Sequence, residues 1–527
     1  MHRRSFLAAM AASCATPALG QGTVAAARVL KFIPQVDLAA LDPVVTSSYV
    51  TRHHAYMVWD TLYGFDQDYR AQPQMAEGHA VEEGGRRVTI RLREGLRFHD
   101  GEPVRAADCA ASIRRWAARD PLGQVLMAQT EELAATDDRT LVFRLARPFP
   151  MLFEAVGKTT MPVCFIMPER IANTEPTRAI TEIVGSGPFR YLADQRVPGS
   201  RVAYERFAEY APRAEGVPSW TAGPKRVHLD RVEWHVMPDP AAASAALSNG
   251  DVDWWEQPTG ELQMALRRNR NVLLEILDPT GLIAVCRPNH LHPPFDKPGV
   301  RRALFGAVSQ ADFMSAVIGA DRSLWRDGVG FFPPGTPMAS DAGLDVFSGA
   351  RDMDRVRRDL AQAGYNGERV VVLASTDFPA LGALAQVGFD MLRRAGMEVE
   401  LVSGPWAQMQ QRRTSREPVE RGGWSVFFAF WSGVDMFNPG VHQALRSHGA
   451  QAWWGWPSIP RLEELRAAWF EAPDLAAQQA VAREIQQVAF QEAPYLPLGQ
   501  YFQATAYRRG LTGVLKGLPL FWNVQRG

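Results

Sequence analysis

The chain has 527 residues, and its 57 Lys and Arg residues balance its 57 Asp and Glu residues. A hydrophobic fraction of 46% and a charged fraction of 22% indicate a globular protein and exclude a disordered or collagen-like chain. The zero net charge predicts no basic field for nucleic acid, and four cysteines without a Cys-x-x-Cys pair argue against a zinc ribbon or a disulfide framework.

The first predicted element is an export signal. Arg3 and Arg4 precede a short apolar stretch that ends near Ala12, which is too short to span a bilayer. This pattern resembles a twin-arginine signal peptide, and we assign it to residues 1–20. A lipid anchor at Cys14 is disfavoured, because an alanine stands where lipoprotein signals carry leucine. No later segment has 18 uninterrupted apolar residues, so we expect a soluble periplasmic, that is extracytoplasmic, protein.

Strand and helix patterns alternate along the rest of the chain. Residues 86–93 alternate apolar and polar side chains, as do residues 141–145, and both segments predict strands with one solvated face. Between them, apolar residues at helical spacing over 109–116 predict a helix that stops before Pro121. Similar spacing predicts helices over 300–308, 462–469 and 481–488. The predicted class is mixed α/β.

Motifs that carry catalysis are missing from the sequence. It contains no Gly-x-Ser-x-Gly elbow, no His-Glu-x-x-His segment, no Walker loop and no dinucleotide-binding glycine pattern. The clustered histidines, His53-His54 and His290-x-His292, have no carboxylate or cysteine at metal-site spacing. These absences favour a binding protein over an enzyme, and no cofactor is expected.

The segment Leu96–Val104 reads L-R-F-H-D-G-E-P-V and is followed by Ala106-Ala107-Asp108. Gly101 suits a tight turn after a strand, and Pro103 precedes the predicted helix. This segment resembles the F-H-D-G-x-P signature of the bacterial extracellular solute-binding proteins of family 5, the peptide, oligopeptide and nickel receptors of ABC importers. The resemblance implies a scaffold turn here and not a ligand site.

Five later segments resemble other parts of the same family and occur in the family's order. They are Gly185–Tyr191, Leu247–Asp253, Pro294–Leu304, Leu360–Tyr365 and Ala493–Leu498. Because six ordered segments extend over most of the chain, we identify the sequence as resembling family 5 throughout.

The resemblance implies a two-lobed type II periplasmic-binding-protein fold with an extra domain and a discontinuous first lobe. We place lobe I at 28–58, 175–273 and 496–527, and lobe II at 274–495. The extra domain, packed on lobe I, occupies 59–174. We place the hinges near Leu274–Cys286 and Tyr495–Tyr501, and ligand would bind in the cleft that closes about them.

Tryptophans are the first candidates for the ligand site, because the chain has 15 of them and their large rings contact ligands at small entropy cost. We single out Trp254, Trp255, Trp431 and Trp454 as candidates, with burial in the core as the alternative for each. Adjacent indoles in a strand point to opposite faces, so one of Trp254 and Trp255 is expected to face the cleft.

Asp435 is the candidate anchor for a cationic group of the ligand. The family commonly holds a peptide amine with an aspartate in a W-x-x-D-x-x-x-P segment, and the stretch Trp431–Pro439 resembles it with Asp435 displaced by one position from the Trp. A role in capping the following turn is the alternative. Arg412 and Arg413 follow the region where such receptors bind a ligand carboxylate, and the spacing favours neither; we select Arg412 as a site residue.

The function implied is that of a monomeric receptor that traps a peptide or similar small solute and delivers it to the permease of an ABC importer. Two alternatives remain open. One is a metal- or haem-chelate receptor on the same fold, suggested by the paired histidines. The other is an exported hydrolase, supported only by the size of the chain.

Overall fold

The structure is a computed structural model, which describes residues 28–472 and 474–527. The predicted signal peptide at 1–20 and Cys14 lie outside the described residues. Within the described ranges the chain forms two large mixed sheets and a smaller antiparallel one, each with its own hydrophobic core. No helix among these residues is both long and apolar enough to cross a membrane.

The first lobe is built on a seven-stranded sheet. Its strands, in spatial order, are Val272–Ile276, Ala504–Arg508, Trp254–Trp255, Val29–Ile33, Arg231–His235, Arg201–Arg206 and Phe189–Tyr191. Its helices are Tyr49–Val58, Pro240–Asn249 and Gly260–Arg268. A short pair, Leu511–Thr512 with Gln525–Arg526, follows near the end of the chain. The sheet combines segments from both ends of the chain, so this lobe is discontinuous.

The second lobe is built on a six-stranded sheet. Its strands, in spatial order, are Trp325–Arg326, Leu496–Tyr501, Leu282–Pro288, Val426–Ser432, Arg369–Ser375 and Glu398–Gly404. Its helices are Pro298–Ala303, Gln310–Ile318, Met353–Gln362, Pro379–Arg394, Trp406–Arg412, Pro460–Glu471 and Leu475–Glu492. Every residue of Leu282–Pro288 is buried, as expected for a central strand covered on both faces.

The extra domain contains a four-stranded antiparallel sheet. Its strands, in spatial order, are Ala76–Glu82, Arg87–Leu92, Thr140–Leu145 and Thr130–Ala135. Its helices are Ala106–Ala117, Pro121–Ala128, Leu152–Gly157 and Glu169–Ala172, and a small pair, Tyr63–Phe65 with Ala71–Pro73, adjoins them. The strand and helix predicted at 86–93 and 109–116 are both confirmed, because their patterns match the burial of one face of each element.

The chain crosses between the two lobes at two strand-to-strand connections. It leaves the first-lobe sheet at Ile276 and enters the second at Leu282, within the expected first hinge. It returns between Tyr501 and Ala504, because Leu496–Tyr501 pairs with Leu282–Pro288 and belongs to the second lobe. The expected boundary at residue 496 was therefore several residues early. A short apolar run predicts a strand, but its sheet is decided by pairing with residues far away in sequence.

Two of the family-like segments contact each other and hold the helix Tyr49–Val58. The His99 N–H donates to the Gly185 carbonyl at 2.8 Å, and the ring of His99 lies 3.0 Å from the Gly187 carbonyl oxygen. Gly187 N–H in turn donates to the carbonyl of Val58 at 2.8 Å. A Cβ on Gly185 would lie 1.9 Å from that carbonyl oxygen, so only glycine allows this approach. The F-H-D-G turn therefore fixes the C-terminal end of this helix.

We predict that Gly185→Ala lowers the free energy of unfolding by about 1–3 kcal/mol or more, because the new methyl group overlaps the backbone of Val58. Gly78→Ala is the matched control, since a Cβ there meets no atom within 4 Å. Denaturant unfolding of both variants measures the difference. Equal stability of Gly185→Ala and Gly78→Ala would contradict the packing role of Gly185.

Candidate ligand-binding site

Three adjacent cavities lie along the boundary between the lobes. The central cavity is lined by Gln35 and Tyr49 of the first lobe and by Arg413 and Trp431 of the second. The inner cavity, nearer the hinge, shares Gln35 and Tyr49 with it. The outer cavity, of about 560 Å³, shares Thr46, Ser47 and Trp453 with the central cavity. The shared residues show that the three cavities adjoin one another along the cleft between the lobes.

Arg413 lies on the wall of the central cavity inside a box of aromatic rings. Its guanidinium carbon lies 4.0 Å from the ring centroid of Trp454 and 4.9 Å from that of Trp406, and Phe427 and Trp453 complete the box. The rings provide cation–π attraction and fix the plane of the guanidinium. Arg413 follows the helix Trp406–Arg412, whose end directs it toward the cleft.

Arg413 has no acidic partner within the described part of the chain. Its side chain makes no ion pair there, and its Nε is buried without a hydrogen-bond partner. Burial lowers its pKa to about 9, so the group still carries its charge at neutral pH. A buried cation without a counterion is costly. The arrangement suits an anionic group of a ligand, which a guanidinium binds through two parallel hydrogen bonds.

The outer cavity is also basic. Arg119, Arg416 and Arg446 line it together with three tryptophans, Trp453, Trp454 and Trp456. Of the described residues that line the central and outer cavities, none is Asp or Glu. Since the whole chain has equal numbers of acidic and basic residues, this excess of arginine is local to the cleft.

The inner cavity has the opposite character. Glu256 and Asp278 line it, together with Arg52 and His53 from the helix Tyr49–Val58. Burial raises the pKa of Glu256 to about 8 and raises that of Asp278. Burial, with the nearby Arg52 charge, holds the pKa of His53 well below its usual value, so this ring is neutral. Acidic groups thus collect at the hinge end of the cleft.

Asp435 is buried and has partners within the protein. Its Oδ2 accepts a hydrogen bond from the Tyr49 hydroxyl at 2.7 Å and lies 3.5 Å from Nη1 of Arg52. The Tyr49 hydroxyl also accepts from the Ser432 N–H at 2.6 Å. The expected role of Asp435 as an anchor for a ligand cation assumed that no cation of the protein lies beside it. Arg52 supplies that cation, and Asp435 is not among the residues that line the three cavities.

The other predicted site residues divide into two groups. Trp431 lines the central cavity and Trp454 the outer one. Trp254 is fully buried in the first-lobe core, and Trp255 is 5% exposed in a separate cluster on the opposite face of the strand. The two indoles do point to opposite faces, yet neither lines the cleft, because helices cover both faces of that sheet. Arg412 also lies away from the cavities and donates to the Gly423 carbonyl at 3.2 Å.

Sequence reasoning therefore did not select three residues that the fold brings to the cleft, namely Arg52, Glu256 and Arg413. Arg413 was considered beside Arg412, but two adjacent arginines at the end of a helix cannot be distinguished without knowing which of them faces the cleft. Glu256 directly follows the Trp254-Trp255 pair. This position beside two candidate tryptophans is the sequence feature that could have identified Glu256 as a site residue.

The paired histidines do not form a metal centre. Nδ1 of His54 lies 2.8 Å from the Tyr204 hydroxyl, and Nδ1 of His53 lies 3.5 Å from Oε1 of Glu256. Over residues 28–472 and 474–527, no three His, Cys, Asp or Glu side chains are grouped so that they could hold a metal ion.

Comparisons with known proteins agree with this geometry. Residues 70–452 match the family model described as bacterial extracellular solute-binding proteins, family 5 Middle. A probable peptide ABC transporter periplasmic-binding protein of Sinorhizobium fredii is 35% identical over 534 residues, covering 99% of each chain.

Two solved structures share the fold. One is the binding protein AgaA of A. tumefaciens R10 in complex with agropinic acid, with a TM-score of 0.78, 21% identity, and coverage of 95% of this chain and 99% of that one. The other is the periplasmic binding protein DppA of Helicobacter pylori in complex with the peptide STSA, with a TM-score of 0.78, 19% identity, and coverage of 94% and 98%. At these identities the likeness shows the fold alone.

Two lobes joined by two crossings, with a cleft between them, define a solute-binding protein of the two-lobed periplasmic type. The match over residues 70–452 and the 35% identical relative go further: the chain belongs to family 5 of the bacterial extracellular solute-binding proteins. This family consists of substrate-binding transport proteins and implies an extracytoplasmic location. The comparisons do not favour the hydrolase or metal-chelate alternatives.

We predict that Arg52→Met destabilises the protein by about 3–5 kcal/mol, because it leaves the buried Asp435 without its cation. Methionine keeps most of the apolar stem, so the lost charge dominates the effect. Arg358→Met, on an exposed helix face without an ion pair among the described residues, is the control and changes stability by less than about 0.5 kcal/mol. Chemical denaturation compares the two. A small effect at Arg52 would show that the pair is dispensable.

Proposed function

We propose that this protein is the extracytoplasmic receptor of an ABC importer, and that it captures a small peptide or peptide-like solute bearing an acidic group. Arg413 is the observation that carries the proposal, since it is a buried cation without an acidic partner among the described residues and faces the cleft. The Sinorhizobium fredii relative, whose name describes a peptide transporter component, supports the choice of a peptide.

The carboxylate of the solute binds Arg413 in this proposal. In a cleft from which water is excluded, a hydrogen bond to a charged group contributes on the order of 1.5–3 kcal/mol. The aromatic box holds the guanidinium in place before the ligand arrives, so little side-chain entropy is lost on binding. The outer cavity, with its arginines and tryptophans, accommodates side chains of the solute that extend beyond Arg413.

Binding would close the lobes on each other. The central cavity takes residues from both lobes, including Tyr49 from the first and Arg413 and Trp431 from the second. A solute that contacts all of them does so only when the lobes are together, which shifts the population toward the closed state. We infer that the closed, loaded protein acts as a monomer and delivers its solute to the membrane permease.

We predict that Arg413→Gln weakens binding of a peptide carboxylate at least tenfold, equivalent to about 1.4 kcal/mol. Titration calorimetry with dialanine, trialanine and glutathione measures the affinities. Arg412→Gln is the matched control. The Arg412 side chain neighbours Arg413 in sequence, but it donates to the Gly423 carbonyl outside the cavities. Trialanine amide, which lacks the carboxylate, is expected to bind both variants and the unaltered protein with the same low affinity.

The two arginine variants also separate binding from folding. Removing the buried charge of Arg413 is expected to leave the melting temperature unchanged or higher, because its desolvation cost is relieved. Equal affinity of Arg413→Gln and unaltered protein for these peptides would exclude Arg413 as the carboxylate site. Failure of all three peptides to bind the unaltered protein would exclude a small peptide as its solute.

We further propose that the N-terminal segment directs export by the twin-arginine route. The sequence Arg3-Arg4 before a weakly apolar stretch supports it. Replacing both arginines by lysine is expected to leave unprocessed precursor in the cytoplasm, and cell fractionation measures this. Arg4→Lys alone, which keeps one arginine of the pair, is the control. Normal export of the double variant would contradict the assignment.

A further inference from the structure

More acidic than basic side chains lie in and beside the inner cavity. Arg52 is its one positive group among the described residues that line it, whereas Glu256 and Asp278 line it as well and Asp435 contacts Arg52. His53 is neutral, because burial and Arg52 hold its pKa well below the usual value. One cation against three carboxyl groups leaves a formal excess of two negative charges in a buried place, which either protons or a bound cation must compensate.

The partners of each carboxyl group show which one is open. Asp435 is held by Arg52 and Tyr49. Asp278 is satisfied by neutral donors, because its Oδ1 accepts from the Thr280 N–H at 2.8 Å and its Oδ2 accepts from the Ser432 hydroxyl at 2.7 Å. Both oxygens of Asp278 are therefore engaged, whereas Oδ1 of Asp435 is buried without a hydrogen-bond partner, but Asp435 lines none of the three cavities.

Glu256 differs from both. Its Oε2 accepts from the Gln35 N–H at 2.7 Å, but its Oε1 accepts no hydrogen bond from the described residues. His53 Nδ1 lies 3.5 Å from Oε1 and is itself buried without a hydrogen-bond partner. The Glu256 side chain is only 5% exposed and lines the inner cavity. It is thus a buried carboxyl group with one unused oxygen on the ligand cleft.

We propose that Glu256, and not Asp435, binds a cationic group of the solute, such as the primary ammonium of a peptide. The inner and central cavities adjoin at Gln35 and Tyr49, and in this proposal one extended solute passes between them to contact both Glu256 and Arg413. Its ammonium lies at the hinge end and its carboxylate at the aromatic box. This inference rests on the proposed function, because it assigns the second end of the same solute.

Proton release accompanies this binding. Burial raises the pKa of Glu256 to about 8, so at pH 6.5 the free protein holds its proton there. An ammonium ligand requires the carboxylate, and the proton must leave as the ligand enters. Affinity for the ammonium form therefore rises with pH, by up to tenfold per unit below the pKa of Glu256. Asp278, whose pKa burial also raises, faces the same space with Arg52 and His53, and Asp435 contacts Arg52; these groups modulate the size of this slope.

Trialanine is the probe for the experiment, with N-acetyl-trialanine as the version that lacks the ammonium. We expect Glu256→Gln to bind trialanine at least tenfold more weakly than the unaltered protein at pH 7.5, while N-acetyl-trialanine binds both equally. Glu261→Gln, five residues away on an exposed helix position, is the matched control and leaves both affinities unchanged. Melting temperatures of the variants confirm that each is folded.

A second measurement needs no variant. Titrating trialanine into the unaltered protein at pH 6.5, in phosphate and in imidazole buffer, gives the number of protons released from the difference in heat. A release approaching one proton, lost in Glu256→Gln, supports the inference, and no release overturns it. Unchanged trialanine affinity in Glu256→Gln, with weakened binding in Arg413→Gln, overturns this inference and leaves the proposed function standing. Unchanged affinity in both variants overturns both.

Discussion

The buried contact between Arg52 and Asp435 is the interaction on which the cleft depends. Arg52 belongs to the first-lobe helix Tyr49–Val58, and Asp435 follows the second-lobe strand Val426–Ser432. Tyr49 joins them, since its hydroxyl bonds both Asp435 and the backbone of Ser432. A buried ion pair adds little net stability but is costly to break, so it fixes how these two elements meet. The same helix then carries Tyr49 and His53 to the cavities.

This contact also decides which charges remain for a solute. Because Asp435 is engaged by Arg52, the acidic character of the hinge end comes from Glu256 and Asp278. At the other end, Arg413 stands in its aromatic box, and the described lining of the central and outer cavities contains no carboxylate. The two ends of the cleft therefore differ in chemistry, with carboxyl groups near the hinge and arginines in the central and outer cavities. Such an arrangement orients a zwitterionic solute and disfavours the reversed orientation.

The family-like segments and the cleft residues have different physical origins, which explains why one set was predicted and the other was not. The turn at His99–Gly101 and the segment Gly185–Gly187 obey local rules, since glycine is required by a positive φ at Gly101 and by close backbone approach at Gly185. Their mutual contact positions a helix but touches no cavity. Trp431 and Trp454 were found by composition, whereas the equally conspicuous Trp254 and Trp255 are core residues.

The sequence by itself determined the α/β class, the family and several elements, such as the strand Arg87–Leu92 and the helix Ala106–Ala117. These features could be predicted because hydrophobic periodicity and turn chemistry act over a few residues. Only the tertiary structure decided that Leu496–Tyr501 joins the second lobe, that Arg413 and not Arg412 faces the cleft, and that Asp435 is paired with Arg52. These outcomes depend on contacts between residues far apart in the chain, and a charge is available to a ligand only when folding has placed no partner beside it.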